Sequence, residues 1–122
     1  MVVDDEQDVE LLFRQKFRKE LKTGEYDFHF AFNGEDALHY LHALNPFDLV
    51  LVLSDINMPG MTGLELLRII RTEYPNLRVM MITAYGDQGN FSKAIEAGAS
   101  DFLTKPVDFL QLKEKIHHLN PS

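Results

Sequence analysis

The sequence predicts an α/β fold: a parallel sheet of five strands with helices on both faces, three layers in all. Two observations carry this reading. Short apolar runs alternate five times with segments of helical periodicity along the 122 residues, and such alternation builds a parallel sheet joined by right-handed crossovers. The third run, Leu49–Leu53, is apolar at every position, as a central strand covered on both faces must be.

Each element follows from a local pattern. Met1-Val2-Val3 reads as the first strand and ends at Asp4. Strands average about five to six residues, so the natural chain is expected to extend further at its N-terminus. Val9, Leu12, Phe13, Phe17 and Leu21 recur at helical spacing and predict one helix, Glu6–Lys22, stopped by Thr23-Gly24. Tyr26, Phe28, Phe30 and Phe32 alternate with other residues and predict the second strand. Asn33-Gly34 breaks it, and Leu38, Leu41 and Leu44 mark a helix from Glu35 that ends at Asn45-Pro46.

The Leu49–Leu53 strand continues through Ser54 to Asp55, and Pro59-Gly60 and Gly63 mark the loop beyond it. Leu64–Tyr74 is a helix stopped before Pro75. A strand near Val79–Ile82 leads to a polar loop, Tyr85–Asn90, whose Gly86 and Gly89 suit movement. Phe91–Ala97 is a fourth helix with Gly98 at its end, and Asp101–Leu103 is the fifth strand. Asp108 is placed to cap a fifth helix running to Leu119. With no repeat, low-complexity tract or linker, residues 1–122 read as a single domain.

Composition narrows the function. Hydrophobic residues make up 45% of the chain, enough for a core. No apolar run approaches the roughly 20 residues of a membrane span, and no signal peptide is visible. There is no cysteine, hence no disulfide, thiolate metal site or thiol nucleophile. This fits a cytoplasmic location. The net charge of −7 argues against direct nucleic acid binding. The densest basic stretch, Arg14–Lys19, has Glu10 and Glu20 beside it and reads as a solvated helix face.

Laid parallel, the strands bring their carboxyl ends to one edge, where open α/β sheets bind ligands. Asp4, Asp5, Asp55, Thr83 and Lys105 gather there. Three carboxylates, a hydroxyl and an ammonium suit a divalent ion and a phosphoryl group. Singly, each residue has a plainer reading. Asp4-Asp5 is a solvated turn, Asp55 a helix cap, Thr83 a strand-end hydroxyl and Lys105 a surface lysine. Equivalent strand ends give the set its weight. The histidines show no metal spacing: His39 and His42 are most simply a solvated helix face, and His117-His118 sit where a helix C-terminus favours cations.

Four motifs resemble the receiver domain of two-component response regulators. They are Val3-Asp4-Asp5-Glu6, Ser54-Asp55-Ile56-Asn57-Met58-Pro59-Gly60-Met61-Thr62-Gly63, Ile82-Thr83-Ala84-Tyr85, and Gly98-Ala99-Ser100-Asp101-Phe102-Leu103-Thr104-Lys105-Pro106. They occur in the family's order, and the resemblance covers essentially the whole chain. It implies a flavodoxin-like strand order, 2-1-3-4-5. It implies that Asp55 is the phosphoacceptor, that Asp4, Asp5, Asp55 and the Asn57 backbone carbonyl hold Mg²⁺, and that Lys105 binds the phosphoryl group. Thr83 and Phe102 become the switch pair, and Lys105–Pro106 a cis peptide bond. Two departures stand out. The stretch from Asp48 to Asp55 is somewhat longer than is usual in the family, and Phe102 lacks a tyrosine hydroxyl.

The resemblance further implies a donor and a target. The donor is a histidine kinase or histidine phosphotransferase. The target is an output domain or another protein, and the surface of the fourth helix, fifth strand and fifth helix changes shape. Homodimerisation through that surface is open to such domains. The domain is then a switch, not an enzyme with an external substrate. Asn57 and Tyr85 flank the site and bear on hydrolysis.

Two other classes compete. An aspartyl-nucleophile phosphatase of the haloacid dehalogenase type needs a second acid two residues after the nucleophile; that position is Asn57, and the chain leaves no room for a cap domain. A degenerate receiver acting only as a protein-binding module is expected to lack Asp55, the acid pair or Lys105, and all are present.

Overall fold

The computed structural model describes residues 1–43, 51–84 and 88–119. Its elements run β1 (Val2–Val3), α1 (Gln7–Lys16), α2 (Arg18–Thr23), β2 (Phe30–Ala31), α3 (Gly34–Ala43), β3 (Leu51–Asp55), α4 (Gly63–Glu73), β4 (Arg78–Thr83), α5 (Gln88–Glu96), β5 (Asp101–Thr104) and α6 (Phe109–Leu119). All strand pairs are parallel, in the order β2-β1-β3-β4-β5. The end expected at Asn45-Pro46 for the second predicted helix, now α3, the start of the third strand at Leu49 and the loop residues Tyr85, Gly86 and Asp87 lie outside the described residues.

Strand alternation divides the core in two. Val3, Val52, Val79 and Met81 face α3, α4 and α5, meeting Ala37, Leu41, Leu66, Leu67, Ile70 and Ala94. Val2, Leu53, Met80, Ile82 and Leu103 face α1, α2 and α6, meeting Phe13, Phe17 and Leu112. Successive strand side chains point to opposite faces, so apolar runs without polar gaps are what two covered faces demand. No helix among the described residues is long and apolar enough to cross a membrane.

Two elements differ from their expected form. The first helix divides at Phe17, giving six helices where five were expected. Phe17 sits at φ −105°, ψ 20°, yet its N–H still donates to the Phe13 carbonyl and its carbonyl accepts from Leu21 N–H. The ring is fully buried, stacked on Phe13 and edge-on to Tyr26, Phe28 and Phe109. A single-residue adjustment keeps it in that cluster. The second strand shrinks from Tyr26–Phe32 to Phe30–Ala31. An edge strand pairs only where its neighbour stands, and β1 offers two residues. Tyr26 and Phe28 are instead held by their rings in the aromatic core.

Loop chemistry completes the frame. Gly24 caps α2 at φ +77°, a left-handed conformation cheap only for glycine. Thr62 caps α4, accepting Glu65 N–H at 3.2 Å, and Asp108 accepts the N–H groups of Leu110 and Gln111 at 3.0 and 3.2 Å. Both follow the rule that a side-chain oxygen satisfies the free donors of a first turn.

Candidate functional site

The chain passes from β1 outward to β2, then back across to β3. The strand order therefore reverses between β1 and β3, and their carboxyl ends flank a crevice. Asp4 follows β1 and Asp55 closes β3. With Asp5 they present carboxylate oxygens that all lie within 4.8 Å of one another. Asp4 and Asp55 are each 4% exposed, whereas Asp5 is open to solvent.

Each buried carboxylate has partners. Asp4 Oδ1 accepts Glu6 N–H at 3.0 Å. Asp55 Oδ1 accepts Asn57 N–H at 3.2 Å, and Asp55 Oδ2 accepts from Lys105 Nζ at 2.8 Å. Burial pushes the Asp4 carboxyl above its ordinary 3.8; the Glu6 N–H opposes this and the Asp55 charge adds to it. Burial alone would lower the Lys105 ammonium. Its hydrogen bond to Asp55 and the charges of Asp55, Asp4 and Glu6 outweigh that, raising it above 10.5. Like charges this close disfavour ionisation, and one ammonium does not offset three carboxylates. An oxygen-only, over-negative donor set fits a hard divalent cation such as Mg²⁺. It is the only group of this kind among the described residues.

The remaining residues of interest lie on β4 and β5. Thr83 is buried at the end of β4, and its hydroxyl donates to the Leu103 carbonyl at 3.4 Å. Lys105 N–H donates to the Thr83 carbonyl at 2.8 Å, so β4 and β5 stay tied past their last ladder pair, Thr83 with Thr104. Phe102 pairs with Met81 in the ladder and is half-buried, on the face of β5 opposite Leu103. The Lys105–Pro106 peptide bond is cis. Asn57 is exposed.

Two positions matter that the sequence reading left as loop markers. Gly63, the first residue of α4, lies against the Asp55 backbone: a Cβ there would sit 2.1 Å from the Asp55 carbonyl oxygen and 2.8 Å from Ile56 Cα. Its N–H donates to the Ile56 carbonyl at 2.8 Å. Gly34, at the start of α3, is set against the Met61 side chain, with a Cβ there 2.5 Å from Met61 Sδ. Glycines beside a strand end were the available signal.

Comparison with known proteins agrees with this arrangement. The family model of the response regulator receiver domain matches residues 1–117. Response regulator protein PilR of Pseudomonas aeruginosa is 42% identical over 117 residues, 95% of this chain and 24% of PilR. Sporulation initiation phosphotransferase F of Bacillus subtilis is 32% identical over 121 residues, 99% of this chain and 92% of that protein. The crystal structure of the receiver domain of NtrX from Brucella abortus superposes with a TM-score of 0.79 at 30% identity, covering 98% of each chain. This chain spans about a quarter of the length of PilR. With the matched residues running through all five strands and the acidic crevice between β1 and β3, the chain belongs to the response regulator receiver domains.

Proposed function

We propose that this domain accepts a phosphoryl group on Asp55 and relays that event to a partner. The observation that carries the reading is the convergence of Asp4, Asp5, Asp55 and Lys105 at one crevice. Asp55 attacks the phosphorus of a phosphohistidine in line. The new O–P bond forms as the P–N bond to the imidazole breaks, and the product is an aspartyl phosphate. Phosphoryl transfer asks mainly for positioning and charge neutralisation. Lys105, already on Asp55, holds a phosphoryl oxygen. Asp4, Asp5, Asp55 and the Asn57 carbonyl hold Mg²⁺. When bound, Mg²⁺ offsets the negative charge of the carboxylates and of the incoming group.

The switch follows from Thr83. Its hydroxyl leaves the Leu103 carbonyl for the phosphoryl group, space opens beside β5, and Phe102 turns into it. The surface of α5, β5 and α6 then changes shape, a shift between two states of one element. The donor is a histidine kinase or histidine phosphotransferase in the cytoplasm. The readout is an output domain beyond residues 1–122, or a separate protein, with homodimerisation through α5, β5 and α6 as one route. The net charge of −7 argues against direct nucleic acid binding by this domain.

Incubation with acetyl phosphate and Mg²⁺, followed by intact mass and amide NMR, tests this. One Mg²⁺-dependent phosphoryl adduct is expected, absent in Asp55→Asn, with shifts reaching Thr83 and Phe102. Full labelling of Asp55→Asn would sink the assignment. No adduct in the wild type, under conditions where Mg²⁺ binds, would favour a module that binds partners without phosphorylation.

A further inference from the structure

All sulfur chemistry in this chain belongs to its five methionines, because it has no cysteine. Met1, Met58, Met80 and Met81 are each no more than 7% exposed. Met61 alone is partly exposed, while it also packs against the core beneath α3 and α4. It sits in the loop that leads from Asp55 to α4. Its side chain packs directly on Gly34, where an added Cβ would sit 2.5 Å from Met61 Sδ.

That loop is also held by Ile56, which is buried and whose N–H donates to the Ile82 carbonyl at 3.1 Å, and by Met58. Asn57 N–H donates to Asp55 Oδ1, Met58 is buried, and Gly63 N–H donates to the Ile56 carbonyl. The Met61 side chain is the loop's seat on the first turn of α3. Met61 therefore combines access to solvent with a close seat on Gly34.

We infer that Met61 is an oxidation site through which a hydroperoxide acts on the carboxylate crevice. The thioether sulfur attacks a peroxide oxygen, an S–O bond forms as the O–O bond breaks, and sulfur gives up two electrons. The departing oxygen takes a proton and leaves as water or an alcohol. The product, a sulfoxide, is polar and chiral where the thioether was flexible and apolar, and sulfoxide reductases restore it. Its oxygen meets Gly34, or it turns to solvent and draws the side chain off its seat. In both cases the loop carrying Asn57 shifts against α3, and the donor set loses its arrangement. The effect on metal rests on the Mg²⁺ reading given above; the site of oxidation does not.

The test treats the metal-free domain with stoichiometric hydrogen peroxide and maps added oxygen by peptide mass. Amide spectra are then recorded, and Mg²⁺ affinity is measured by calorimetry. Oxygen is expected on Met61 before any other methionine, with amide shifts at Gly34 and Gly63 in the absence of metal. Mg²⁺ affinity is expected to fall about tenfold, the scale of changes just outside a metal's ligands. In Met61→Leu the same dose leaves that variant's own spectrum and affinity as they were. Oxidation that begins at another methionine overturns the proposal. So does a Met61 sulfoxide with an unmoved Gly34 amide or with unchanged Mg²⁺ affinity. Untreated protein that binds no Mg²⁺ overturns the metal reading instead, and the mass map and the Gly34 amide still decide the oxidation site.

Discussion

Lys105 Nζ stands 2.8 Å from Asp55 Oδ2, an ion pair that joins the ends of β5 and β3 across the end of β4. The Asp55 side chain is 5% exposed and that of Lys105 40%. The carboxylate is buried and its counter-charge arrives from solvent on a flexible stem. Such a pair sets a positive charge against the buried carboxylate while leaving the ammonium free to follow a group that comes to rest on it.

Lys105→Met tests the pair. The variant keeps most of the stem and removes the charge. A buried carboxylate that loses its partner costs about 3–5 kcal/mol when both are enclosed; solvent around Lys105 reduces this to about 1–2 kcal/mol for the metal-free domain. Urea unfolding reads that loss. Phosphoryl labelling is expected to drop by an order of magnitude or more while Mg²⁺ still binds. Labelling at the wild-type rate would place Lys105 outside the phosphoryl site.

Asp4 tests the charge crowding. Two carboxylates about 5 Å apart repel by roughly 3 kcal/mol at an effective dielectric near 20, and Lys105 offsets part of this. Asp4→Asn is therefore expected to stabilise the metal-free domain at neutral pH by about 1 kcal/mol, or roughly 3 °C in Tm. Saturating Mg²⁺ reverses the ranking. At about one hundred times Kd a bound ion adds roughly 2.7 kcal/mol to the wild type, and the variant gains far less. Equal Mg²⁺-induced shifts in Tm for both proteins would take Asp4 out of the ligand set.

The crevice was legible in the sequence because strand ends are. An apolar run followed by Asp, Thr or Lys marks where a strand leaves the core, and parallel topology sends all such ends to one edge. What stayed hidden depends on distances between elements. Nothing in the 3.6-residue period reports that Phe17 alone departs from helical angles, since Leu21 keeps its phase on the far side. The Tyr26–Phe32 alternation is real, but pairing also needs a partner strand, and β1 supplies two residues. The close approach of Gly63 to Asp55 and the bridge from Lys113 to Glu20, 93 residues away, are tertiary facts with no local signature.

Gly63 gives the sharpest steric prediction. The atoms a new Cβ would meet are backbone, the Asp55 carbonyl oxygen at 2.1 Å and Ile56 Cα at 2.8 Å, and backbone cannot rotate away. Gly63→Ala is expected to cost about 1–3 kcal/mol, the range for overpacking. It also displaces Asp55, so Mg²⁺ affinity falls about tenfold. Gly24→Ala is the control. Gly24 has φ +77° and open space around it, so the variant bears only a conformational cost of roughly 1 kcal/mol and binds Mg²⁺ as the wild type does. Equal Mg²⁺ affinities in the two variants would mean that α4 does not set the position of Asp55.

The acid limb of stability should report a pair far from the crevice. Lys113 Nζ lies 2.8 Å from Glu20 Oε1 and also stands 5.1 Å from the centre of the Phe17 ring. The hydrogen bond from Lys113 holds the Glu20 carboxyl below its ordinary 4.5. Between that lowered value and 4.5 the unfolded chain binds more protons than the folded one, so stability rises with pH through the window. The contribution is present above 4.5 and is lost as pH falls through the folded value. Glu20→Gln removes the titrating group. Its urea stability is expected to vary less steeply below pH 4.5 than the wild type's, with the gap between the two constant at higher pH. Lys113→Met loses the larger share of that pH-dependent part, the Glu20 backbone N–H and Lys19 keeping the rest, and, with the ring contact gone, a further part that does not depend on pH. A difference in stability between the wild type and Glu20→Gln that stays flat from about pH 3 to pH 6, the span that brackets this titration, would show that Glu20 carries none of the acid limb.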